Sequence, residues 1–235
     1  MTTIAMPVFK SFTGAQALVD TLAQKIAAQL QDAIDARGRA SLVVSGGSTP
    51  LPLFRKLSEI GIEWAEVTVT LADDRWLPAD DPESNERLVR QHLLTNKAAS
   101  AHFAGLVTMH ATPEQGLGMA LEKISHMAKP FDVVILGMGN DGHTASLFPC
   151  SEQLADGLST DELLLAAHPT TAPHQRISFS LKALLNARQI YLHISGAEKK
   201  AVLEQALTSR DVMQMPIRAF LDQHRTPVDV YWSEQ

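Results

Sequence analysis

The stretch VVILGMGNDGHTASLFP, residues 133–149, decides the fold more than any other part of the chain. Its first four residues are a short apolar run of the kind that a parallel sheet buries on both faces. Three glycines follow, Gly137, Gly139 and Gly142, and they allow a sharp turn whose backbone can approach a ligand closely. We therefore predict a buried strand of a parallel sheet that ends in a glycine-rich turn.

The predicted turn carries an aspartate and a histidine, Asp141 and His143. Histidine is the side chain whose ordinary pKa permits proton transfer near neutral pH. Open α/β sheets bind ligands beyond the carboxyl ends of their strands, which is where this histidine falls. His143 is therefore a candidate acid–base residue, and the alternative is a structural turn with a surface histidine.

Segments typical of strands and of helices alternate along the rest of the chain. Apolar residues recur every four positions from Leu18 to Ile34, which predicts a long helix with Thr13 as its N-cap and Gly38 as its end. The alternation predicts one domain, residues 1–235, of the α/β class, with a mostly parallel sheet covered by helices on both faces. The predicted strands are 41–45, 67–71, 132–136, 176–180, 189–195 and 228–232, and further helices are expected through Leu53 and Leu57 and over 84–94, 113–127, 197–207 and 216–222.

Two polar segments interrupt this pattern. Residues 73–83 follow a predicted strand and are expected to form a loop, and residues 152–162 are expected to form a turn-rich surface excursion. Neither segment is long enough to separate two hydrophobic cores.

Composition narrows the classes of partner. The 235 residues are 45% hydrophobic and 20% charged, as in ordinary globular proteins, and the formal net charge of −6 argues against general nucleic-acid binding. A single cysteine excludes an internal disulfide framework, and no apolar run approaches the roughly 20 residues that a membrane span needs. We expect a cytoplasmic protein with neither a nucleic-acid nor a membrane partner, in which an anionic substrate needs a local cluster of positive groups.

The segment Ser45-Gly46-Gly47-Ser48-Thr49-Pro50 also lies between a predicted strand and a predicted helix. Its glycines expose backbone N–H groups, its hydroxyls can donate, and the following helix directs its positive end at the turn. The spacing fits neither the nucleotide P-loop nor the dinucleotide fingerprint, which favours a small phosphorylated metabolite over a nucleotide. The alternative is a tight turn with a hydroxyl cap.

Charged residues appear at three further strand ends. Asp73, Asp74 and Arg75 follow the strand at 67–71, where carboxylates can orient hydroxyls and a guanidinium can hold a phosphate or an oxyanion. Arg176 opens a later strand, and Lys199 follows another. The alternative for the first group is an ordinary solvated loop.

Two kinds of chemistry find little support. The histidines other than His143 show no convincing metal-ligand spacing, so we expect neither a metal nor a cofactor. Ser146 lacks the strand–turn–helix context of a nucleophile elbow.

The chain resembles the 6-phosphogluconolactonases, within a superfamily that also contains the glucosamine-6-phosphate deaminases. The resemblance implies the sheet of the deaminase and ribose-5-phosphate-isomerase type, and hydrolysis of 6-phospho-D-glucono-1,5-lactone. It runs nearly from end to end in six blocks, which are SGGSTP (45–50), DDRWLP (73–78), SNERLV (84–89), LGMGNDGHTASLFP (136–149), RISFSLKALLNA (176–187) and SGAEK (195–199).

The resemblance also implies roles for individual residues. His143 would be the catalytic base, supported by Asp141, with Arg75 completing the catalytic set. Asp73, Asp74 and Gly142 would contact the sugar ring. The phosphate would be bound by Gly46, Gly47, Ser48 and Thr49 together with Arg176 and Lys199.

Two positions depart from the family pattern, and they do not change this interpretation. The family usually has a glutamate in place of Asp74, a difference of one methylene. Asn140 stands where an acidic residue or a proline is common.

A deaminase is the main alternative, because that family shares the turn at residues 45–50 and the Gly-Asp-Gly-His motif. Deaminases carry a glutamate where this chain has Phe148, and a tyrosine where it has Arg75. That glutamate supports ring opening, which amino-sugar isomerisation requires and lactone hydrolysis does not. A non-catalytic sugar-phosphate sensor is a third possibility, although such regulators usually carry a DNA-binding module.

Overall fold

Ten strands and eight α-helices follow one another along residues 7–234, the part of the chain that the computed structural model describes. The strands are β1 (Val8–Phe12), β2 (Ala40–Val44), β3 (Val67–Leu71), β4 (Asp73–Arg75), β5 (His102–Ala104), β6 (Val133–Leu136), β7 (Leu164–Ala167), β8 (Arg176–Phe179), β9 (Ile190–Ser195) and β10 (Val228–Ser233). The helices are α1 (Ala15–Arg37), α2 (Leu51–Glu59), α3 (Asn85–His92), α4 (Pro113–Ile124), α5 (Leu154–Ser159), α6 (Leu181–Leu185), α7 (Ala197–Ala206) and α8 (Arg218–Leu221).

Seven strands form a parallel sheet in the order β1-β10-β9-β6-β2-β3-β5. The strand of the opening motif, β6, lies at its centre, with Val134 opposite Val43 of β2 and Ile135 opposite Tyr191 of β9. The chain continues from β2 to β3 and β5 on one side and from β6 to β9 and β10 on the other. The topological switch point, where open α/β sheets bind ligands, therefore lies between β2 and β6.

The central strands are buried on both faces, as predicted. All five residues of β2 and all four of β6 are at most 2% exposed. Because successive side chains of a strand point to opposite faces, layers must cover the sheet on each side. One apolar cluster continues from the sheet into the long helix α1, whose Leu18, Leu22 and Ile26 are fully buried. No helix in residues 7–234 is long and apolar enough to cross a membrane.

A second sheet was not predicted. It has three antiparallel strands in the order β4-β8-β7, and it pairs Asp73 with Ser178 and Arg75 with Arg176. The expectation of a loop over residues 73–83 was therefore wrong at its start, because these three residues pair with a strand about a hundred positions further along the chain.

Three other local predictions can be compared with the structure. The N-cap of α1 is Gly14 and not Thr13, and no side chain caps this end. Gly38 ends the helix as predicted, in the left-handed conformation with φ of 71°. The expected surface excursion at 152–162 contains helix α5, whose Leu154 is 1% exposed, so that this segment contributes to the core.

Candidate active site

A cleft of about 530 Å³ opens at the carboxyl ends of β2 and β6, at the switch point of the parallel sheet. The turns that follow these two strands line one side of the cleft. Side chains from β4 and β8 of the small antiparallel sheet line it as well. Nine of the twelve predicted site residues lie along this cleft, namely Gly46, Gly47, Ser48, Thr49, Asp73, Arg75, His143, Arg176 and Lys199.

His143 lies in the turn after β6 and is oriented by Asp141. Its Nδ1 is 2.6 Å from Asp141 Oδ1, and its backbone N–H donates to the same oxygen at 3.0 Å. The imidazole stacks on Phe148 with ring centroids 4.0 Å apart. Nε2 has no hydrogen-bond partner within residues 7–234, so it is the nitrogen that remains for a ligand.

The contact between Nδ1 and Asp141 indicates which ring nitrogen carries the proton. Burial acts to raise the pKa of Asp141, but the hydrogen bond and charge of His143 outweigh it, so that the pKa lies below its ordinary value. An ionised carboxylate only accepts hydrogen bonds, so Nδ1 must donate to it. Nε2 of the neutral ring is then the basic nitrogen, which is the form that a general base needs.

The glycines of this turn make the arrangement sterically possible. A Cβ on Gly139 would lie 2.1 Å from His143 Nδ1, so a side chain there would displace the imidazole. Gly142 has φ of +77° and is buried against Met215. Gly142 does not line the cleft, and its conformation shapes the turn; its contact with substrate stays a prediction.

The turn after β2 has the features of an anion site. Gly47 adopts φ of +94°, a conformation that favours glycine. Helix α2 begins at Leu51, directly behind the turn, and no side chain caps its first N–H groups. The Leu51 N–H donates to the Ser48 carbonyl and Pro52 has no N–H, so the contribution of this helix to an anion site is the positive end of its dipole.

Two arginines face each other on the small sheet. Arg75 and Arg176 are directly opposed across the β4–β8 pair, and both line the cleft. The Nε atoms of both are buried without a hydrogen-bond partner in the described chain, and burial lowers the pKa of Arg176. Because like charges in this position repel, an anion between them would stabilise the pair.

Lys199 completes the positive groups, at the start of α7. It donates to Asn140 Oδ1, and Asn140 Nδ2 in turn donates to Glu198 Oε1 at 2.6 Å. Burial lowers the pKa of Lys199. The residue that departs from the family pattern, Asn140, therefore tethers a cleft lysine.

The adjacent carboxylates Asp73 and Asp74 have different surroundings. Asp73 lines the cleft and accepts a hydrogen bond from Ser146 Oγ at 2.5 Å. Asp74 is fully buried, and it accepts backbone N–H groups of Arg75 and of the first turn of α3. Asp74 was expected to contact substrate; in this structure it faces away from the cleft, because successive residues of β4 point to opposite sides, and the contact stays a prediction.

Burial raises the pKa of Asp74 to about 7, although three backbone N–H donors act in the opposite direction. Ser146 is 1% exposed, and its hydroxyl is bound to Asp73. These contacts give it a structural role beneath the cleft and leave no accessible nucleophile at this position.

Several residues that line the cleft were not predicted from the sequence, among them Glu83, Asn85 and His193. The available signal for Asn85 was its place at the start of a predicted helix directly after the 73–83 segment. His193 is 5% exposed, and burial lowers its pKa to about 4, so it is neutral near pH 7. Within residues 7–234, no group of three or more histidine, cysteine, aspartate and glutamate residues is arranged to hold a metal ion.

A parallel sheet whose switch point combines an anion-binding turn, two opposed arginines and a carboxylate-supported histidine defines a class of α/β enzymes that act on small anionic substrates. Comparison with known proteins identifies the family. Residues 13–232 match the family model described as glucosamine-6-phosphate isomerases/6-phosphogluconolactonase, and the chain belongs to this family.

Several 6-phosphogluconolactonases are similar to this chain over nearly its whole length. The chain is 42% identical to a 6-phosphogluconolactonase of Rhizobium meliloti over 94% of this chain and 97% of the relative. A crystal structure of a 6-phosphogluconolactonase from Shewanella baltica is 60% identical, with a TM-score of 0.96 over 98% of this chain and 99% of that one. A monomeric glucosamine-6-phosphate deaminase shares the fold, with a TM-score of 0.77 at 17% identity over 96% of this chain and 97% of that one.

Proposed function

We propose that the protein hydrolyses 6-phospho-D-glucono-1,5-lactone to 6-phospho-D-gluconate, as a cytoplasmic step of the oxidative pentose phosphate pathway. The observation that carries this proposal is the geometry of His143, whose Nδ1 is bound to Asp141 and whose Nε2 is available at the cleft. The names of the similar proteins support the choice of substrate.

The positive groups support binding through the phosphate. Arg75, Arg176 and Lys199 share the cleft with the turn at residues 46–49. A phosphate held at this end places the lactone carbonyl at a fixed distance from the anchor. Binding energy of a remote group can in this way position the reacting carbon next to His143.

Hydrolysis of the lactone needs one proton-transfer group, which acts first as a base and then as an acid. Nε2 of His143 accepts a proton from water while the water oxygen bonds to C1 of the lactone. The resulting oxyanion is stabilised by Arg75 or by backbone N–H groups. When the tetrahedral intermediate collapses, the bond from C1 to the ring oxygen breaks, and the imidazolium returns its proton to that oxygen. The products are the free hydroxyl and a carboxylic acid, which releases its proton to solvent and becomes the carboxylate.

Asp141 supports both states of the ring. Its carboxylate holds the Nδ1–H tautomer before the reaction and lies 2.6 Å from the imidazolium that forms. Because the Asp141 side chain is 38% exposed, solvent weakens this charge interaction, and its main contribution is orientation.

Phe148 favours the lactonase over the deaminase. It occupies the position where deaminases carry a glutamate, and it stacks on His143 at 4.0 Å between ring centroids. A phenyl ring supplies no proton for ring opening of an amino sugar. It does hold the imidazole in place, which suffices for hydrolysis of an activated ester.

The decisive experiment compares two reactions of the purified protein. The lactone is generated in situ from glucose 6-phosphate, and its decay is followed with and without protein, while ammonia release is measured from glucosamine 6-phosphate. We expect faster lactone decay and no ammonia. Ammonia release without faster decay would instead show a deaminase. Binding of 6-phosphogluconate with neither reaction would show a sensor.

A further inference from the structure

Asn85 lies between strand β4 and the turn at residues 46–49, which we call the phosphate turn. It is the first residue of α3, is 4% exposed, and lines the cleft. Its backbone N–H donates to Asp74 Oδ1 at 2.7 Å, and its Nδ2 donates to the carbonyl oxygen of Asp73 at 2.9 Å. Hydrogen bonds to Asp73 and Asp74 therefore fix both the backbone and the side chain of Asn85.

These contacts determine which way the carboxamide faces. A backbone carbonyl only accepts hydrogen bonds, so the atom that faces Asp73 must be Nδ2, and the position of Oδ1 follows. Oδ1 lies against Gly46, where a Cβ would be 1.8 Å from it. The three atoms closest to such a Cβ all belong to Asn85, so glycine at position 46 makes room for this carboxamide.

The carboxamide retains unused hydrogen-bonding capacity. One hydrogen of Nδ2 is bound to Asp73, whereas the second hydrogen and Oδ1 have no partner within residues 7–234. Unused polar groups on a nearly buried side chain cost free energy unless a ligand or solvent satisfies them. A phosphate oxygen can satisfy only the donor. A hydroxyl group can accept from Nδ2 and donate to Oδ1.

We propose that Asn85 is a substrate-binding residue that recognises a hydroxyl group of the sugar acid, next to the phosphate turn. The ligand class is a polyhydroxylated carboxylic acid or lactone that carries a phosphate. This inference rests on the proposed function. It adds a residue that recognises a hydroxyl group on the carbon chain to the residues that bind the phosphate.

The test measures binding, so that it does not depend on turnover. Asn85→Ala and Asn85→Ser are titrated calorimetrically with 6-phosphogluconate and, separately, with inorganic phosphate. We expect about 5- to 10-fold weaker binding of 6-phosphogluconate, the usual effect of losing hydrogen bonds to a neutral group, and phosphate affinity within twofold of the parent. Asn186→Ala is the matched control, because Asn186 is exposed and lies outside the cleft, and it should bind both ligands as the parent does.

Two results would overturn the assignment. Unchanged affinity for 6-phosphogluconate would show that Asn85 contacts no part of it. An equal loss for both ligands would show that Asn85 only supports the phosphate turn. If the parent binds 6-phosphogluconate but does not hydrolyse the lactone, the proposed function fails while this comparison still decides the role of Asn85.

A double-mutant cycle tests the packing of Asn85 against Gly46. Gly46→Ala should weaken 6-phosphogluconate binding in the parent, because the new methyl group displaces the Asn85 carboxamide. In the Asn85→Ala background the same change should have a much smaller effect, since the obstructing atoms are gone. An equal effect in both backgrounds would contradict the proposed contact.

Discussion

The two sides of the cleft are built from different sheets, and their key side chains differ in burial. On the parallel sheet, His143 stands in a glycine-rich turn with its side chain 29% exposed. On the small antiparallel sheet, Arg176 is 5% exposed and directly opposes Arg75. The first side therefore provides an accessible proton-transfer group, whereas the second provides desolvated positive charge.

This difference follows from what each task requires. A general base must meet water and substrate, so partial exposure and a single orienting carboxylate, Asp141, suit it. An anion clamp gains strength when its charges are removed from water, so burial suits Arg176. His143 and Arg176 thus lie on different sheets and can be altered separately, while the turn at residues 46–49 and Lys199 share the parallel-sheet side with His143.

The largest expected effect comes from the histidine side. Replacing His143 by alanine or asparagine should lower kcat for lactone hydrolysis by roughly 10²–10⁴, the usual contribution of a positioned acid–base group. Thermal unfolding should change little, because the glycines and not the imidazole shape the turn. Near-normal turnover in these variants would remove His143 from its role and direct attention to Asp73 or Asp141.

A smaller effect is expected from the lysine that accompanies the arginines. Lys199→Ala should lower kcat/KM on the phosphorylated lactone by about 10- to 100-fold, since hydrogen bonds to charged groups contribute about 1.5–3 kcal/mol. Turnover of unphosphorylated gluconolactone should change little.

The adjacent lysine provides the control for this experiment. Lys200 lies over the ring of Trp232 and outside the cleft, so Lys200→Ala should behave as the parent does. Equal losses on both substrates in Lys199→Ala would show that Lys199 does not bind the phosphate.

The smallest expected effect concerns the buried carboxyl group of Asp74 and the pH dependence of the folding stability. Because burial raises the pKa of Asp74 from 3.8 to about 7, the folded protein holds a proton that the unfolded chain releases between these values. This group therefore stabilises the fold at low pH, and its contribution is lost as the pH rises towards 7, by at most about 1.4 kcal/mol per pH unit.

Asp74→Asn removes this titration. Urea unfolding at pH 5 and pH 8 should show that any stability advantage of the parent over this variant is smaller at pH 8, by about 1 kcal/mol or more. An advantage that stays constant or grows with pH would mean that Asp74 is ionised throughout this range.

The side of the cleft on the parallel sheet could be predicted from the sequence, because its signals are local. The apolar run of β6, the glycines after it and His143 lie within eleven residues of one another. The turn at residues 45–50 likewise lies between a strand and a helix that each have a clear pattern. Short-range patterns of this kind fix where a strand ends and which residues follow it.

The antiparallel side could not be predicted in the same way. Strand β4 has three residues, too few to show a period, and its partner β8 lies about a hundred residues away. Without that pairing, Asp73 and Asp74 look equivalent, and the opposition of Arg75 and Arg176 is invisible. The contact of Asn85 with Gly46 likewise joins residues that are distant along the chain.

The division of roles between His143 and Arg176 is tested most directly by calorimetric titration of 6-phosphogluconate into the parent, His143→Ala and Arg176→Met. We expect His143→Ala to bind within about threefold of the parent, and Arg176→Met, which keeps the aliphatic stem but not the guanidinium group, to bind at least about 10-fold more weakly. Equal weakening of binding in the two variants, or normal binding by Arg176→Met, would contradict this division of roles.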